Sequence, residues 1–346
     1  MHKVDQRSFP RTSPDHIIAR RRMSDNFLGI DVAKSKFDVA LLGQDGKVRH
    51  RTFPNKPEGF SAVRQWLSRQ GVEQVQACLE ATGTYGLALA THLHQAGLTV
   101  SVVNPACIKA FAESELRRTK TDRVDAAVIA RFCRALQPAP WQPPSPELAG
   151  LQALVRRLES LRQLHTQERN RLSVPGLAEA VRASLTRVLG ALEDEIKRIE
   201  EQISDHIDQH PGLREKRDLL ESIPGIGQAT AHTLLSEMAA TSFQSARQLA
   251  AYAGLVPQER RSGASVRGKA RLSKRGNARL RKGLYWPAVV AMRANPPLRA
   301  FAQRLRAAGK PTMVIIGALM RKLLHLAFGV LKSGRAFDPN YQASMP

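Results

Sequence analysis

The period of the apolar positions changes along the chain, and each change predicts a new element. From Phe27 to Val48 the stretch FLGIDVAKSKFDVALLGQDGKV consists of two β-rich runs around a short turn, closed by Asp45-Gly46. That dipeptide is a hairpin signal leading into a further strand around His50 to Phe53, so three antiparallel strands are expected. Phe60, Val63, Trp66 and Leu67 then recur at helical spacing within Pro57 to Gln70. Val75 to Leu79 has the composition of a buried strand, Tyr85 to Ala96 is helical, and Leu98 to Val103 is a strand ending at Asn104-Pro105. Helices over Ile108 to Glu113 and Asp122 to Leu136 follow. A hairpin sheet followed by alternating helices and strands must cover its apolar faces with those helices, which predicts an α/β layer fold of the ribonuclease-H kind.

Beyond this point the pattern becomes purely helical. Pro138 to Pro146 (PAPWQPPSP) has the composition of a linker. Leu148, Leu151, Leu154, Leu158, Leu161 and Leu164 then recur at three- and four-residue steps, as do Val188, Leu192, Ile196, Ile199, Ile203 and Ile207 after the break at Pro175. Such stripes predict a long helical hairpin or coiled coil, a spacer and dimerisation element rather than a catalytic part. After Pro211, LLESIPGIGQATAHTLLSEM places Pro224-Gly225-Ile226-Gly227 between two apolar helices. The turn is similar to a helix-hairpin-helix, in which backbone N–H groups at Gly225 and Gly227 would meet a nucleic-acid phosphate; an ordinary helix-helix turn is the alternative. The expected organisation is a disordered basic arm over 1–25, an α/β catalytic domain over 26–137, linker and coiled-coil helices over 138–215, a mainly helical domain over 216–337 and a tail over 338–346. Residues 1–25 hold Pro10, Pro14 and Arg20 to Arg22 without an apolar run, so they are not a secretory signal, and Met23 is an alternative start.

Charge adds a partner to this outline. The 346 residues carry 53 Lys plus Arg against 30 Asp plus Glu, a formal +23, while 42% apolar and 24% charged residues mark a globular protein. From Arg260 to Pro346 there are 19 Lys or Arg and one acidic residue, Asp338, so the C-terminal quarter is built to meet a polyanion. A membrane surface is disfavoured because aromatic anchors are scarce, and the apolar run from Met313 to Leu331 is interrupted by Arg321, Lys322 and His325, reading as a core helix. Cys78, Cys107 and Cys133 lack metal-ligand spacing and indicate a reducing, cytoplasmic setting.

Four carboxylates stand where chemistry is expected. Asp31 lies near the end of an apolar strand, Glu80 directly follows one, and Asp122 and Asp125, three apart, share one face of a helix. Carboxylates so placed can converge, and hard oxygen ligands are what Mg²⁺ requires when it bridges phosphate oxygens. Singly, each is as well explained by a turn or a helix cap. Asp38, in mid-strand, and Glu113 or Glu115 rank below them. From Gln258 to Lys282, Arg260, Arg261, Arg267, Lys269, Arg271, Lys274, Arg275 and Arg279 alternate with small residues, a composition suited to lying along a phosphate backbone. On spacing alone, Ser262 is a phosphate contact, with Ser265 and Ser273 equivalent to it.

The segments GIDVAKSKFDVA, LEATGTYG, VVNPACIKAFAES, KTDRVDAAVIARFCR, LLESIPGIG, AAYAGLVP and SGASVRGKARLSKRGNARLRKGLYWPA, in this order, resemble the DEDD-class insertion-sequence transposases, the family numbered one hundred and ten, from about Phe27 to Phe337. The resemblance implies a RuvC-like N-terminal domain whose metal quartet falls on Asp31, Glu80, Asp122 and Asp125. It also implies a C-terminal transposase domain whose nucleophilic serine falls on Ser262, giving a 5′-phosphoserine intermediate. The implied partners are Mg²⁺, donor and target DNA, and a bridge (guide) RNA. The implied assembly is a homotetramer, a dimer of dimers, with carboxylates and serine supplied by different protomers. The rival reading is a RuvC-like, structure-specific endonuclease acting by two-metal hydrolysis. An actin-like sugar kinase, whose phosphate hairpins GIDVAKSKFD and ATGTYG superficially resemble, would have no use for the basic C-terminus.

Overall fold

The computed structural model describes residues 25–81, 85–115, 121–238, 243–262 and 266–340. The basic arm expected over 1–25, except its last residue, the alternative start at Met23 and the end of the expected tail lie outside these. The chain divides into two compact units, Met1–Gln142 and Pro143–Pro346.

The first unit holds β1 (Phe27–Val32), β2 (Lys36–Leu42), β3 (Val48–Pro54), α1 (Pro57–Arg69), β4 (Gln76–Glu80), α2 (Leu87–Gln95), β5 (Thr99–Val103), α3 (Pro105–Ser114) and α4 (Asp122–Leu136). The sheet order is β3-β2-β1-β4-β5. The expected β1–β2–β3 meander is antiparallel, whereas β1–β4 and β4–β5 pair in parallel, as strands separated by helices do. Strand alternation sends Leu28, Ile30, Phe37, Val39 and Leu41 to one face, where they pack with Phe60, Val63 and Trp66 of α1 and Leu89 and Leu93 of α2. Phe27, Ala40, Leu42 and Cys78 face the other way, against Ala126, Ile129, Ala130 and Cys133 of α4 and Ile108 of α3.

One close approach fixes α4. A Cβ on Gly29 would lie 2.0 Å from the Ala126 carbonyl oxygen and 2.3 Å from the Ala130 nitrogen, so only glycine lets the helix backbone lie on the centre of β1.

Two boundaries differ from expectation. Asn104-Pro105 does more than end β5: the Asn104 side chain accepts from the Ala106 N–H at 2.9 Å and Pro105 opens α3. The proline run is not a free linker at its start. The Pro138 carbonyl accepts from Gln76 Nε2 and Ser101 Oγ, both at 2.9 Å, the Trp141 N–H donates to the Val100 carbonyl at 2.7 Å, and the Trp141 side chain packs on the α1–α2 face. β5 is an edge strand with no further strand beside it, and this strap meets it at Val100 and Ser101 within the first unit, which extends to Gln142.

The second unit opens with α5 (Pro146–Leu172) and α6 (Glu179–Asp208), the two long helices expected on either side of Pro175. They run antiparallel, since Arg162 reaches Glu200 at 2.5 Å and His165 reaches Glu193 at 3.0 Å. Then come α7 (Pro211–Glu221), α8 (Gln228–Met238), α9 (Ala246–Tyr252), β6 (Pro257–Ser262), β7 (Val266–Leu272), α10 (Ala278–Gly283), α11 (Tyr285–Ala294), α12 (Pro296–Ala307) and α13 (Thr312–Ser333). The helices before and after residue 215 share a core, in which Leu151, Leu158, Leu161, Ile199, Ile203 and Ile207 pack with Leu220, Leu234, Leu235, Leu280 and Leu284. Toward the far end of the hairpin, Leu164, Val174, Val181 and Val188 are exposed. α13 is long and apolar enough to cross a membrane by length and composition, yet Ile315, Leu319, Leu323, Leu324 and Ala327 form the centre of this core. The second unit is mainly helical, and within it β6 and β7 form a hairpin from the basic segment expected to lie along phosphates.

Candidate active site

Asp31, Asp38, Asp122 and Asp125 gather at one end of the central strands, and Glu80 ends the neighbouring strand β4. Hairpin register sets Asp31 of β1 directly opposite Asp38 of β2. On the other side of β1, Ile30 pairs with Leu79 of β4, so Asp31 and Glu80 come next on the two parallel strands. From above, the contact at Gly29 brings the N-terminal turn of α4 to the same place. Thr121 caps that helix by accepting from the Val124 N–H at 3.3 Å, and Asp122 and Asp125 occupy its first turn, where the helix dipole favours negative charge.

The electrostatics record this convergence. The Asp31 carboxyl is pushed up to about 6 by burial and then by the negative charges of Asp125, Asp122 and Asp38, with Lys36 opposing. The Lys36 ammonium lies 2.8 Å from Asp122 and 3.1 Å from Asp38, and this contact holds the Asp122 carboxyl below its usual range. Asp38 also accepts from the Thr52 hydroxyl at 2.5 Å. In a protein of net charge +23, anionic oxygens have gathered around one partly buried aspartate with an exposed lysine at the rim. Among the described residues no three His, Cys, Asp or Glu side chains already close on a common point at ligating distance. The donor set is nonetheless oxygen only, and a cation among these groups would remove the repulsion that raises Asp31; the residues fit a hard divalent ion such as Mg²⁺.

Asp38 thus belongs to the cluster, although its mid-strand position ranked it low. The available signal was that it breaks a buried apolar run opposite Asp31 in a hairpin. Glu113 is exposed beside Lys109, and Glu115 is engaged by Arg131 through two contacts of 2.8 and 2.9 Å, so both are occupied elsewhere.

The basic centre is the β6–β7 hairpin. Pro257 pairs with Leu272 at its base and Ser262 with Val266 near its tip. The side chains of Arg260, Arg261, Ser262, Arg267 and Lys269, and residue Ser265, lie outside the described residues. Arg271, Lys274 and Arg275 are exposed, and Lys274 adopts a left-handed conformation at φ 53° in the turn after β7. Arg279 leans on Glu159 at 2.7 Å. In the turn between α7 and α8, Gly225 has φ 106°, and a Cβ there would lie 2.7 Å from the Ala291 side chain and 3.0 Å from its Cα. Gly225 therefore lets the turn pack on α11, whereas a Cβ on Gly227 would meet nothing within 4 Å.

An acidic cluster at the ends of a mixed sheet and a basic hairpin on a helical unit define a protein that handles phosphate polyanions. Residues 28–174 match a family profile described as transposase, of the DEDD IS110 type, and residues 217–303 match one described as transposase, IS116/IS110/IS902 family. The chain is 35% identical over 324 residues to the pilin gene-inverting protein of Moraxella bovis, covering 91% of this chain and 98% of that protein. It is 27% identical over 291 residues to the transposase for insertion sequence element IS1111A of Coxiella burnetii, covering 76% and 77%. A protein of insertion element IS110 from Streptomyces coelicolor is 32% identical over 171 residues, 49% of this chain and 41% of that one. The chain belongs to the IS110 family of insertion-sequence transposases and is a DNA-recombining enzyme.

Proposed function

We propose that the chain is a Mg²⁺-dependent recombinase that moves an insertion sequence through a covalent phosphoserine intermediate at Ser262, guided by a bridge RNA. The convergence of acidic groups on Asp31 carries the metal-dependent part of the reading, while Ser262 and the guide RNA rest on the resemblance of the surrounding segments to the family. In this reading the first unit is a RuvC-like domain in which Asp31, Glu80, Asp122 and Asp125 hold the metal. When bound, the ion supplies Lewis-acid polarisation of the scissile phosphate and neutralises charge that develops on it. The Ser262 hydroxyl attacks phosphorus, the bond to the 3′ oxygen breaks, and that oxygen takes up a proton, leaving a 5′-phosphoserine linkage. The 3′ hydroxyl of a second strand reverses the step, so phosphodiester bonds are exchanged without hydrolysis. Arg260, Arg261, Arg267, Lys269, Arg271, Lys274, Arg275 and Arg279 neutralise donor and target backbones, and Gly227, open at the start of α8, is better placed than Gly225 to receive a phosphate. The protein works in the cytoplasm as a tetramer, a dimer of dimers, with serine and carboxylates from different protomers.

The rival is a RuvC-like endonuclease acting by hydrolysis, for which the carboxylate cluster alone would suffice. The two separate on element-end DNA supplied with the flanking RNA transcript and Mg²⁺. Exchange products that require RNA and vanish in both Ser262→Ala and Asp125→Asn are expected. Nicks that survive Ser262→Ala would assign the hydrolytic reaction instead.

A further inference from the structure

We infer that Glu237, Asn277 and Tyr252 form a polar clamp at the base of the β6–β7 hairpin and are positioning residues for the reaction at its tip; this rests on the proposed role of Ser262.

Glu237 is a buried carboxylate, 6% exposed, on α8. Such a group persists inside a protein only when its oxygens are satisfied. Here Asn277 Nδ2 donates to Oε2 at 2.5 Å and Arg279 Nη1 stands 3.8 Å from Oε1. Asn277 sits between β7 and α10 and is used at every polar group. Its Oδ1 accepts from the Leu280 N–H at 3.1 Å, capping α10, and its Nδ2 also reaches the Tyr252 hydroxyl at 3.2 Å. Its backbone N–H donates to the Tyr252 carbonyl at 2.6 Å.

The neighbouring backbone is drawn into the same junction. Ser273 N–H donates to the Val256 carbonyl at 2.9 Å and Lys274 N–H to the Gly254 carbonyl at 3.2 Å, tying the strand leaving the hairpin to the segment entering it. At Gly276, with φ 133°, a Cβ would lie 2.1 Å from the Tyr252 oxygen, so the chain crosses there in direct backbone contact. Both legs of the hairpin are thus fixed to α8 and α9 by directional hydrogen bonds, which define orientation more sharply than apolar contacts do.

Orientation matters because the hairpin is a lever. Ser262 lies five residues beyond the base pair Pro257–Leu272, about 17 Å at strand rise. A rotation of roughly 5° at the base would move the tip by about 1.5 Å over that strand length. Misplacement on the order of 1 Å at a reacting group can lower a rate about a hundredfold.

The test reverses the donor and acceptor. Asn277→Asp sets a carboxylate against Glu237 and should lower strand exchange by about a hundredfold. Glu237→Gln keeps an acceptor for Asn277 and should cost only a few-fold. The double variant Glu237→Gln/Asn277→Asp restores a hydrogen bond with its polarity reversed and should recover to within about tenfold of wild type. DNA affinity should stay within a few-fold throughout, because Arg271, Lys274 and Arg275 remain. Wild-type exchange in Asn277→Asp, or a folded double variant as inactive as Asn277→Asp, would overturn the clamp. If Asn277→Asp melts below the assay temperature, the double variant decides alone. Ser262→Ala run alongside separates the two claims: its activity reports on the serine, the rescue on the clamp.

Discussion

Replacing Gly29 by alanine puts a methyl group where the structure has the backbone of α4, at 2.0 Å from the Ala126 carbonyl oxygen, 2.3 Å from the Ala130 nitrogen and 2.9 Å from its Cα. All three are backbone atoms held in a regular helix, so no side chain can turn aside. Ordinary contact needs about 3.5 Å, so α4 must lift from β1 by roughly 1 Å or more. Ala126, Ile129, Ala130 and Cys133 would then lose their packing on the sheet. Overpacking of this kind costs about 1 to 3 kcal/mol, and the rigidity of both partners puts Gly29→Ala at roughly 3 kcal/mol. For a unit of this size that corresponds to a melting temperature lower by roughly 10 °C or more. The same displacement carries Asp122 and Asp125 away from Asp31, so recombination at a temperature where the variant is folded should fall by about a hundredfold. Thermal melting by circular dichroism and the exchange assay give the two numbers. Gly190→Ala, in the exposed interior of α6 with nothing within 4 Å, is the control and should stabilise by about 0.5 to 1 kcal/mol. A Gly29→Ala protein with wild-type melting and activity would refute the proposed geometry of α4.

The cluster itself makes a thermodynamic prediction. Because the folded Asp31 pKa is raised from 3.8 to about 6, the native state loses stability as pH rises through that window and stays penalised above it. Asp31→Asn should therefore melt higher at neutral pH, by roughly 1 kcal/mol once solvent screening is allowed for, while losing recombination. Mg²⁺ should raise the melting temperature of wild type but not of Asp31→Asn; equal shifts in both would remove Asp31 from the metal site. His232, buried on α8, has its pKa lowered from 6.5 to about 4 by burial and then by the charge of Arg217. Its contribution is complete above 6.5 and lost as pH falls toward 4, so His232→Gln should flatten the acid limb of the stability curve in that interval. Lys274→Ala and Arg275→Ala should each reduce the slope of log affinity against log salt by about 0.9 without changing sequence preference. An unchanged slope would take that residue off the backbone contact.

What the sequence disclosed followed the reach of its signals. The β1–β3 meander and α1 are set by local periods of two and 3.6 residues, and these elements stand where Phe27 to Gln70 placed them. The placing of Asp31, Glu80, Asp122 and Asp125 at strand ends and a helix start was legible for the same reason. Asp38 was not, because its place opposite Asp31 depends on hairpin register, and shifting that register by one residue would turn it to the other face. Pro138 to Gln142 has the composition of a linker, and its use as a strap depends on β5 being an edge strand, a property of topology rather than of composition. Charged residues at adjacent positions, as at Arg260 and Arg261, leave Gln258 to Leu272 without the apolar alternation that marks a hairpin. Glu237 and Asn277 are 40 residues apart, and neither differs locally from a surface residue. Ser262 remains distinguished by the family resemblance, while Ser273 stands at the hairpin base with its N–H bound to Val256.

The most direct measurement traps the reaction midway. Protein, element-end DNA, the flanking transcript and Mg²⁺ are quenched in denaturant, the protein–DNA adduct is isolated and digested, and the modified peptide is sequenced by mass spectrometry. A phosphodiester bond to Ser262 that requires metal and is missing in Asp125→Asn is the predicted result. An adduct at another residue, or cleaved DNA with no adduct, would contradict the account.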